Sequence, residues 1–281
     1  MPSSQTIAVI LPTFCPGDYL TSMIHSIESQ ECKEGNSNIK ITLYLVLNGP
    51  REPYLTRIKE ILEMSSVDYK VAYTSEPGVS RARNVGLDLS CSYDYVVFVD
   101  DDDVLSPRYL LSLLRAVRDE SHIAQSRTSV LNECGQSLSD HYINRAFDDV
   151  VCNGDRAYTP YRYRKFLNTV WGKIFPRKLI GENRFDESVS ISEDALFLFT
   201  LSSRIKGISL APEAVYAVRQ RPLSASRKHK PMCALVRESM LFIRKVSQVY
   251  WKAPLRFSFL LYVSRILASL KFLIIRMKNQ L

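Results

Sequence analysis

The chain has 281 residues, 46% of them apolar and 23% charged, with a net charge of +8. That length suits one large domain with an appendage, or two small ones, and it can bury a core without disulfides or metals to hold it. The six cysteines (Cys15, Cys32, Cys91, Cys134, Cys152, Cys233) form no CxxC pair and neighbour no histidine, which excludes a disulfide framework and a zinc site and favours a reducing compartment. The N-terminus lacks the basic-then-apolar layout of a signal peptide, and no run of about 18 apolar residues marks a membrane span. The charge is uneven. From Arg219 onward there are 14 Lys or Arg against one acid, Glu238, whereas the first 218 residues hold 23 basic and 28 acidic side chains. The basic character belongs to the tail, as expected of a segment with its own anionic partner.

"TIAVILPTF" (6–14) predicts a buried strand ended near Pro12. Leu20, Met23, Ile24 and Ile27 then repeat at helical spacing. "KITLYLVLNGP" (40–50) is a second strand stopped by Asn-Gly-Pro, followed by a helix marked by Tyr54, Ile58, Ile61 and Leu62. "YKVAYTSEPG" (69–78) is the third strand, and "VSRARNVGLDLS" a helix expected to turn Ala82, Val85 and Leu89 inward. "DYVVFV" is the fourth strand, and "SPRYLLSLLRAV" its helix, with Ser106 as N-cap and Pro107 at the first helical position. Four strand–helix alternations imply an α/β fold: a mostly parallel, Rossmann-like sheet flanked by helices. Residues 120–165 read as polar and irregular. Order returns at "FLNTVWGKIFPRKLI" and at "SEDALFLFTLSSRI" (192–205), a buried helix capped by Ser192.

Four consecutive aspartates, Asp100 to Asp103, follow the fourth strand. Ligands bind outside the carboxyl ends of such strands. In a nearly extended segment Asp100 and Asp102 would point the same way, and a hard divalent cation completing its shell with substrate phosphates would resolve their repulsion. The other reading, an acidic turn beside a helix start, accounts for one acid rather than four. "LPTF" and "LNGP" put small or polar groups at neighbouring strand ends, and Arg81 and Arg83 open a helix, which suits a pyrophosphate. Neither GxGxxG nor GxxxxGK[ST] occurs.

"IAVILPTF", "PGVSRARNVGL", "VVFVDDDDVL", "WGKIFPRK" and "ISEDALF", in this order, resemble the GT-A-fold family 2 glycosyltransferases over about residues 6–222. The resemblance implies that Asp100, Asp101 and Asp102 match the family's DxD-type motif. Asp100 and Asp102 would hold Mg²⁺ or Mn²⁺ on the diphosphate, with Asp100 and Asp101 on the donor nucleotide. It places Arg83 of Ala82-Arg83-Asn84 on the nucleotide side, with Pro12, Thr13 and Asn48 lining that pocket, and takes Asp194 of Glu193-Asp194 as catalytic base. Asn48 stands where the family commonly has acids that help read the base. The implied activity is inverting transfer from a nucleoside-diphosphate sugar, a UDP-sugar by expectation, to a hydroxyl of a glycan or lipid-linked saccharide. The chemistry agrees: a metal neutralises the leaving group, inversion needs one carboxylate on the far side of the sugar, and Asp194 starts a helix whose dipole favours its ionised form. The rivals are a sugar nucleotidyltransferase, which would want a Gly-rich, Arg-bearing loop after the first strand, and a non-catalytic nucleotide-sugar-binding module. Trp171 and Lys173 read either as sugar or phosphate contacts or as packing and a surface charge. The four histidines (His25, His122, His141, His229) form no ligand spacing. His229, beside Arg227 and Lys228, reads as diphosphate contact or solvated loop.

The expected organisation is a catalytic domain over 1–222 and a basic amphipathic helical tail over 223–281. Leu255, Phe259, Tyr262, Ile266, Leu270, Leu273 and Met277 step along one helical face, with Ser258, Arg265, Ser269 and Arg276 opposite. Bulky aliphatics opposite long cations predict an interfacial helix, and hence a cytoplasmic enzyme peripheral on the inner face of the membrane. The alternative is packing on the catalytic domain or on a twin in a homodimer. An RNA-binding arm would want exposed aromatics for stacking and fewer leucines, so no nucleic-acid partner is expected.

Overall fold

In "QTIAVILPT" (Gln5–Thr13, β1), Ile7, Val9 and Leu11 face one way and Ala8 and Ile10 the other, and all five are 0% exposed. A strand buried on both faces must lie inside a sheet covered by helices on each side. The computed structural model describes residues 4–34, 37–138, 140–152, 157–220 and 231–278. Strand and helix alternate through α1 (Tyr19–Glu28), β2 (Lys33–Glu34), β3 (Ser37–Asn48), α2 (Tyr54–Glu63), β4 (Tyr69–Thr74), α3 (Val79–Leu89) and β5 (Tyr95–Phe98). There follow β6 (Val104–Leu105), α4 (Tyr109–Ala116), β7 (His122–Leu131), α5 (Tyr142–Cys152), β8 (Lys173–Pro176), α6 (Arg177–Ile180), α7 (Glu193–Leu201) and β9 (Gly207–Arg219).

β4, β3, β1 and β5 run parallel in that spatial order. The sheet continues through β8, antiparallel to both β5 and β7, then β7 and β9 parallel to each other, with short β6 on its edge and β2 on β3. Ile7, Val9 and Leu11 pack with α1, α2 and α4, whereas Ala8 and Ile10 join α3, α5, α6 and α7 on the other face. The carboxyl ends of β1, β3, β4 and β5 therefore open on one edge, where the aspartates lie.

Three local expectations change. Helix α3 buries Ala82, Arg83, Asn84, Gly86 and Leu87, while Leu89 is exposed. Gly86 sets that rotation, since a Cβ there would fall 2.5 Å from Ile10 Cγ2. Ser106 does not cap α4, which starts at Tyr109. Its hydroxyl accepts the Val215 N–H at 3.0 Å and so ties the preceding turn to β9. Within the stretch read as irregular, His122–Leu131 is an inner strand whose Gln125, Ser126 and Thr128 are buried despite their polarity.

The C-terminal part is α8 (Met232–Lys252), a 3₁₀ turn at Pro254–Arg256, and α9 (Phe259–Lys278). Phe242, Val246, Tyr250, Leu261 and Tyr262 join the same apolar cluster as Ala8 and Phe98. Tyr250 stacks on Tyr262 at 4.3 Å, and Phe257 on Phe199 of α7 at 5.2 Å. The orientation of α9 corrects the expected one. Tyr262 and Arg265 face inward, and Leu260, Leu267, Leu270 and Ile274 face outward. Arg265 turns in because backbone carbonyls await it there. The side chain of Met277, the 222/223 boundary and His229 lie outside the described residues. No helix among the described residues is long and apolar enough to cross a membrane.

Candidate active site

The aspartates do not form an extended run. The Asp103 N–H donates to the Asp100 carbonyl at 3.3 Å, closing a turn, so strand alternation does not align Asp100 with Asp102. Each acid meets a different surrounding. Asp100 accepts from Arg83 Nη2 at 3.0 Å, and its own N–H donates to the Tyr216 hydroxyl at 3.0 Å. Asp101 accepts the Thr13 hydroxyl. The Asp102 carbonyl takes Arg219 Nε at 3.1 Å, and its side chain is half-buried. Asp103 is buried and accepts the Arg219 N–H at 2.8 Å. Burial, and then the charges of Asp102 and Asp100, push its pKa well up and favour the neutral form. Pairing, hydrogen bonding and that neutral acid together relieve the repulsion.

Arg83 links this turn to α7. It is 3% exposed, with Nη1 2.7 Å from Asp194 Oδ1 and 3.8 Å from Glu193 Oε1, and its guanidinium lies over the Phe185 ring. Burial opposes the Arg83 charge, but Asp194 and Asp100 outweigh it and raise the pKa. Arg83, expected on the nucleotide side, has its guanidinium paired with carboxylates, because three crowded acids need a cation. Arg81 is likewise committed, to Glu187 at 2.8 Å and to Glu76.

Asp194 Oδ2 accepts the Val170 N–H at 3.0 Å. Burial raises its pKa, opposed by Arg83, the Val170 N–H and Lys173, so the helix dipole does not set the direction as expected. Glu193 is pushed up to about 7 by burial and by the neighbouring Asp194 charge. Ser192 sits at the N-cap in a left-handed conformation, and its side chain makes no cap bond. Lys173, read as a candidate surface charge, is 0% exposed and donates to Thr169 O at 2.7 Å and Trp171 O at 3.3 Å. Trp171 stacks on Tyr216 at 5.0 Å, which makes it packing.

On the nucleotide side, Pro12 and Thr13 are buried at the end of β1. Asn48 is buried too, donating to Thr13 O at 2.7 Å and accepting the Gly78 N–H at 2.9 Å. Asn48 thereby fastens the strand ends together, and these two bonds leave one of its amide hydrogens uncommitted. The sequence reading missed Phe14 and Tyr73, exposed aromatics on either side of Gly49. Gly49 has φ +97 and would place a Cβ 2.5 Å from the Phe14 ring, so only glycine fits. An aromatic directly after β1 and another near the end of β4 were the signal available in the sequence.

Among the described residues, no three His, Cys, Asp or Glu side chains gather as an ion site. The turn offers Asp100, 34% exposed, and Asp102. One or two carboxylates fit a Mg²⁺ or Mn²⁺ that completes its shell with water and diphosphate oxygens, and do not fit a structural ion bound by protein alone.

Residues 8–178 match the family model described as glycosyl transferase family 2. Glycosyltransferase GlyA of Streptococcus pneumoniae is 30% identical over 244 residues, 82% of this chain and 33% of GlyA. The minor teichoic acid biosynthesis protein GgaA of Bacillus subtilis is 26% identical over 219 residues, 76% of this chain and 47% of GgaA. The chain thus spans less than half the length of either relative. The crystal structure of S. aureus TarS 1-349 in complex with UDP-GlcNAc superposes with a TM-score of 0.65 at 18% identity, covering 86% of this chain and 66% of that one. That likeness identifies the GT-A fold.

Proposed function

The chain belongs to glycosyl transferase family 2, and from that premise we propose that it is an inverting enzyme carrying a sugar from a UDP-sugar to a saccharide hydroxyl. The carrying observation is the Arg83 bridge. One buried guanidinium holds Asp194 at 2.7 Å and Asp100 at 3.0 Å, which sets a candidate base one side chain away from a candidate diphosphate site. In this reading the acceptor oxygen attacks the anomeric carbon, the bond to the diphosphate oxygen breaks, and the acceptor proton passes to Asp194. Burial makes Asp194 the stronger base, while Arg83, the Val170 N–H and Lys173 oppose that shift and favour its ionised form. Mg²⁺ or Mn²⁺ held at Asp100 and Asp102 would take up charge developing on the diphosphate. Thr13 orients Asp101, and Phe14 and Tyr73 offer ring faces to the base.

The UDP-GlcNAc complex of TarS supports a UDP-sugar donor. The printed role of GgaA in teichoic acid biosynthesis supports an acceptor within a cell-envelope polymer or its lipid-linked precursor. The outward aliphatics of α9, with exposed Lys271 beside them, support binding at the cytoplasmic membrane surface. Thermal unfolding with UDP and Mn²⁺ tests the metal site. Wild type should gain stability from the pair beyond UDP alone, and Asp102→Asn should lose that increment while keeping its ligand-free Tm. An increment retained by Asp102→Asn would remove the metal reading.

A further inference from the structure

Residues 157–172 form turns and bends without a strand or helix, yet they supply the Val170 N–H that holds Asp194 Oδ2. The segment's own turns close as far as Leu167, whose N–H donates to Arg164 O at 3.2 Å, and Val170 lies beyond them. Two buried basic side chains brace that part from outside. Lys173 ties down the carbonyls of Thr169 and Trp171. From the opposite side Arg265 of α9 donates from Nη2 to Leu167 O at 2.8 Å and Arg164 O at 3.4 Å, and from Nη1 to Asn168 Oδ1.

Arg265 is 4% exposed, and among the described residues no carboxylate pairs with it. The groups that weigh on its charge are Tyr142 and Arg164, and burial lowers its pKa to about 10. Its Nε has no hydrogen-bond partner among the described residues, and the side chain borders a cavity of about 220 Å³ shared with Ser192, Glu238 and Phe272. An apolar side chain of similar size would avoid desolvating a charge, but it would leave the acceptors on Arg164, Leu167 and Asn168 without this donor. What only a guanidinium supplies is a rigid fork that fixes three acceptors, on Arg164, Leu167 and Asn168, at once.

We propose that Arg265 is a positioning residue for Asp194, holding the 164–170 backbone so that the Val170 N–H keeps the carboxylate aimed at the acceptor. Helix α9 is then part of the catalytic apparatus without touching either substrate. The inference rests on the reading of Asp194 as base. A misplacement of about 1 Å at a reacting group costs on the order of 10²-fold in rate, which bounds the effect.

Hydrogen exchange on the full chain without ligands tests the brace directly. In Arg265→Gln, amides of residues 166–172 should exchange at least about tenfold faster, while β1 amides at residues 7–10 stay as in wild type. Asn168→Ala removes one acceptor and should give the same selective pattern more weakly, which covers the case where Arg265→Gln folds poorly. Acceleration spread evenly over both regions, or none, overturns the proposal. Turnover, read as UDP release from UDP-GlcNAc with Mn²⁺, separates it from the premise. Arg265→Gln should lower kcat with donor KM little changed, Arg265→Lys should recover part, and the loss should nearly vanish in an Asp194→Asn background. Losses that multiply in the double variant sink the brace and leave the base standing. A wild-type rate for Asp194→Asn sinks the base, and the exchange pattern alone then decides whether Arg265 holds the segment.

Discussion

Replacing Arg83 by Gln tests the centre of the site, because the change keeps a polar side chain and deletes the cation that pairs with Asp100, Glu193 and Asp194. Removing one partner of a buried pair typically costs about 3–5 kcal/mol, since the remaining charge stays desolvated. At about 2–4 °C per kcal/mol, Tm should drop by roughly 6–20 °C at pH 8. The loss should depend on pH. Glu193 already sits at about 7 with Arg83 present, against 4.5 unperturbed, and Asp194 is raised as well. A carboxyl whose folded pKa exceeds its unfolded value binds more protons in the native state between the two, so stability falls as pH rises through that window. Without Arg83 both values climb further, and the window extends upward from 4.5 to beyond 7. The Tm deficit should therefore be largest at pH 8 and smallest at pH 5.5, measured by calorimetry in EDTA for wild type and variant side by side. A deficit equal at the two pH values, or larger in acid, would refute the reasoning.

Asp194→Asn should reduce turnover by about 10²–10⁴ while donor affinity by calorimetric titration stays near wild type; weakened donor binding at a normal rate would make it a binding residue. Gly86→Ala should lose about 1–3 kcal/mol in urea unfolding through overpacking against Ile10, and an unchanged midpoint would show that the contact relaxes freely. Wild type should float with anionic vesicles at low salt, and Leu267→Glu/Ile274→Glu should stay at the bottom. A wild type that stays down and elutes as a dimer would assign that face to a second copy. Point changes are preferable to truncation, because cutting near residue 230 would strip Phe242, Val246 and Leu261 from the shared core.

The first four strands and helices were legible because their apolar residues follow the periods of 2 and 3.6 that burial imposes. Periodicity failed where polar groups are buried for a purpose. Helix α3 turns Arg83 and Asn84 inward to meet Asp194 and the Phe185 carbonyl, and β7 hides Gln125, Ser126 and Thr128 in the sheet. The acids were visible as a cluster, but their division of roles was not. It depends on Arg219, Tyr216 and Thr13, partners that sequence spacing does not bring together. The tail showed its amphipathic pattern and concealed its orientation, since Arg265 is polar by composition and internal by contact.

Four fastenings of the site join distant parts of the chain. Arg219 to Asp103 spans 116 residues, Arg83 to Asp194 spans 111, Asn84 to Phe185 spans 101 and Thr13 to Asp101 spans 88. Such contacts carry the largest loop-closure cost and form after the local ones. As the chain emerges from the ribosome, β1 to β5 can pair while the four aspartates still lack Arg219 and Asp194 has not been made. The candidate site therefore cannot close until α7 and β9 have been made, and until then the four aspartates crowd the carboxyl end of β5 without the Arg219 N–H that receives Asp103.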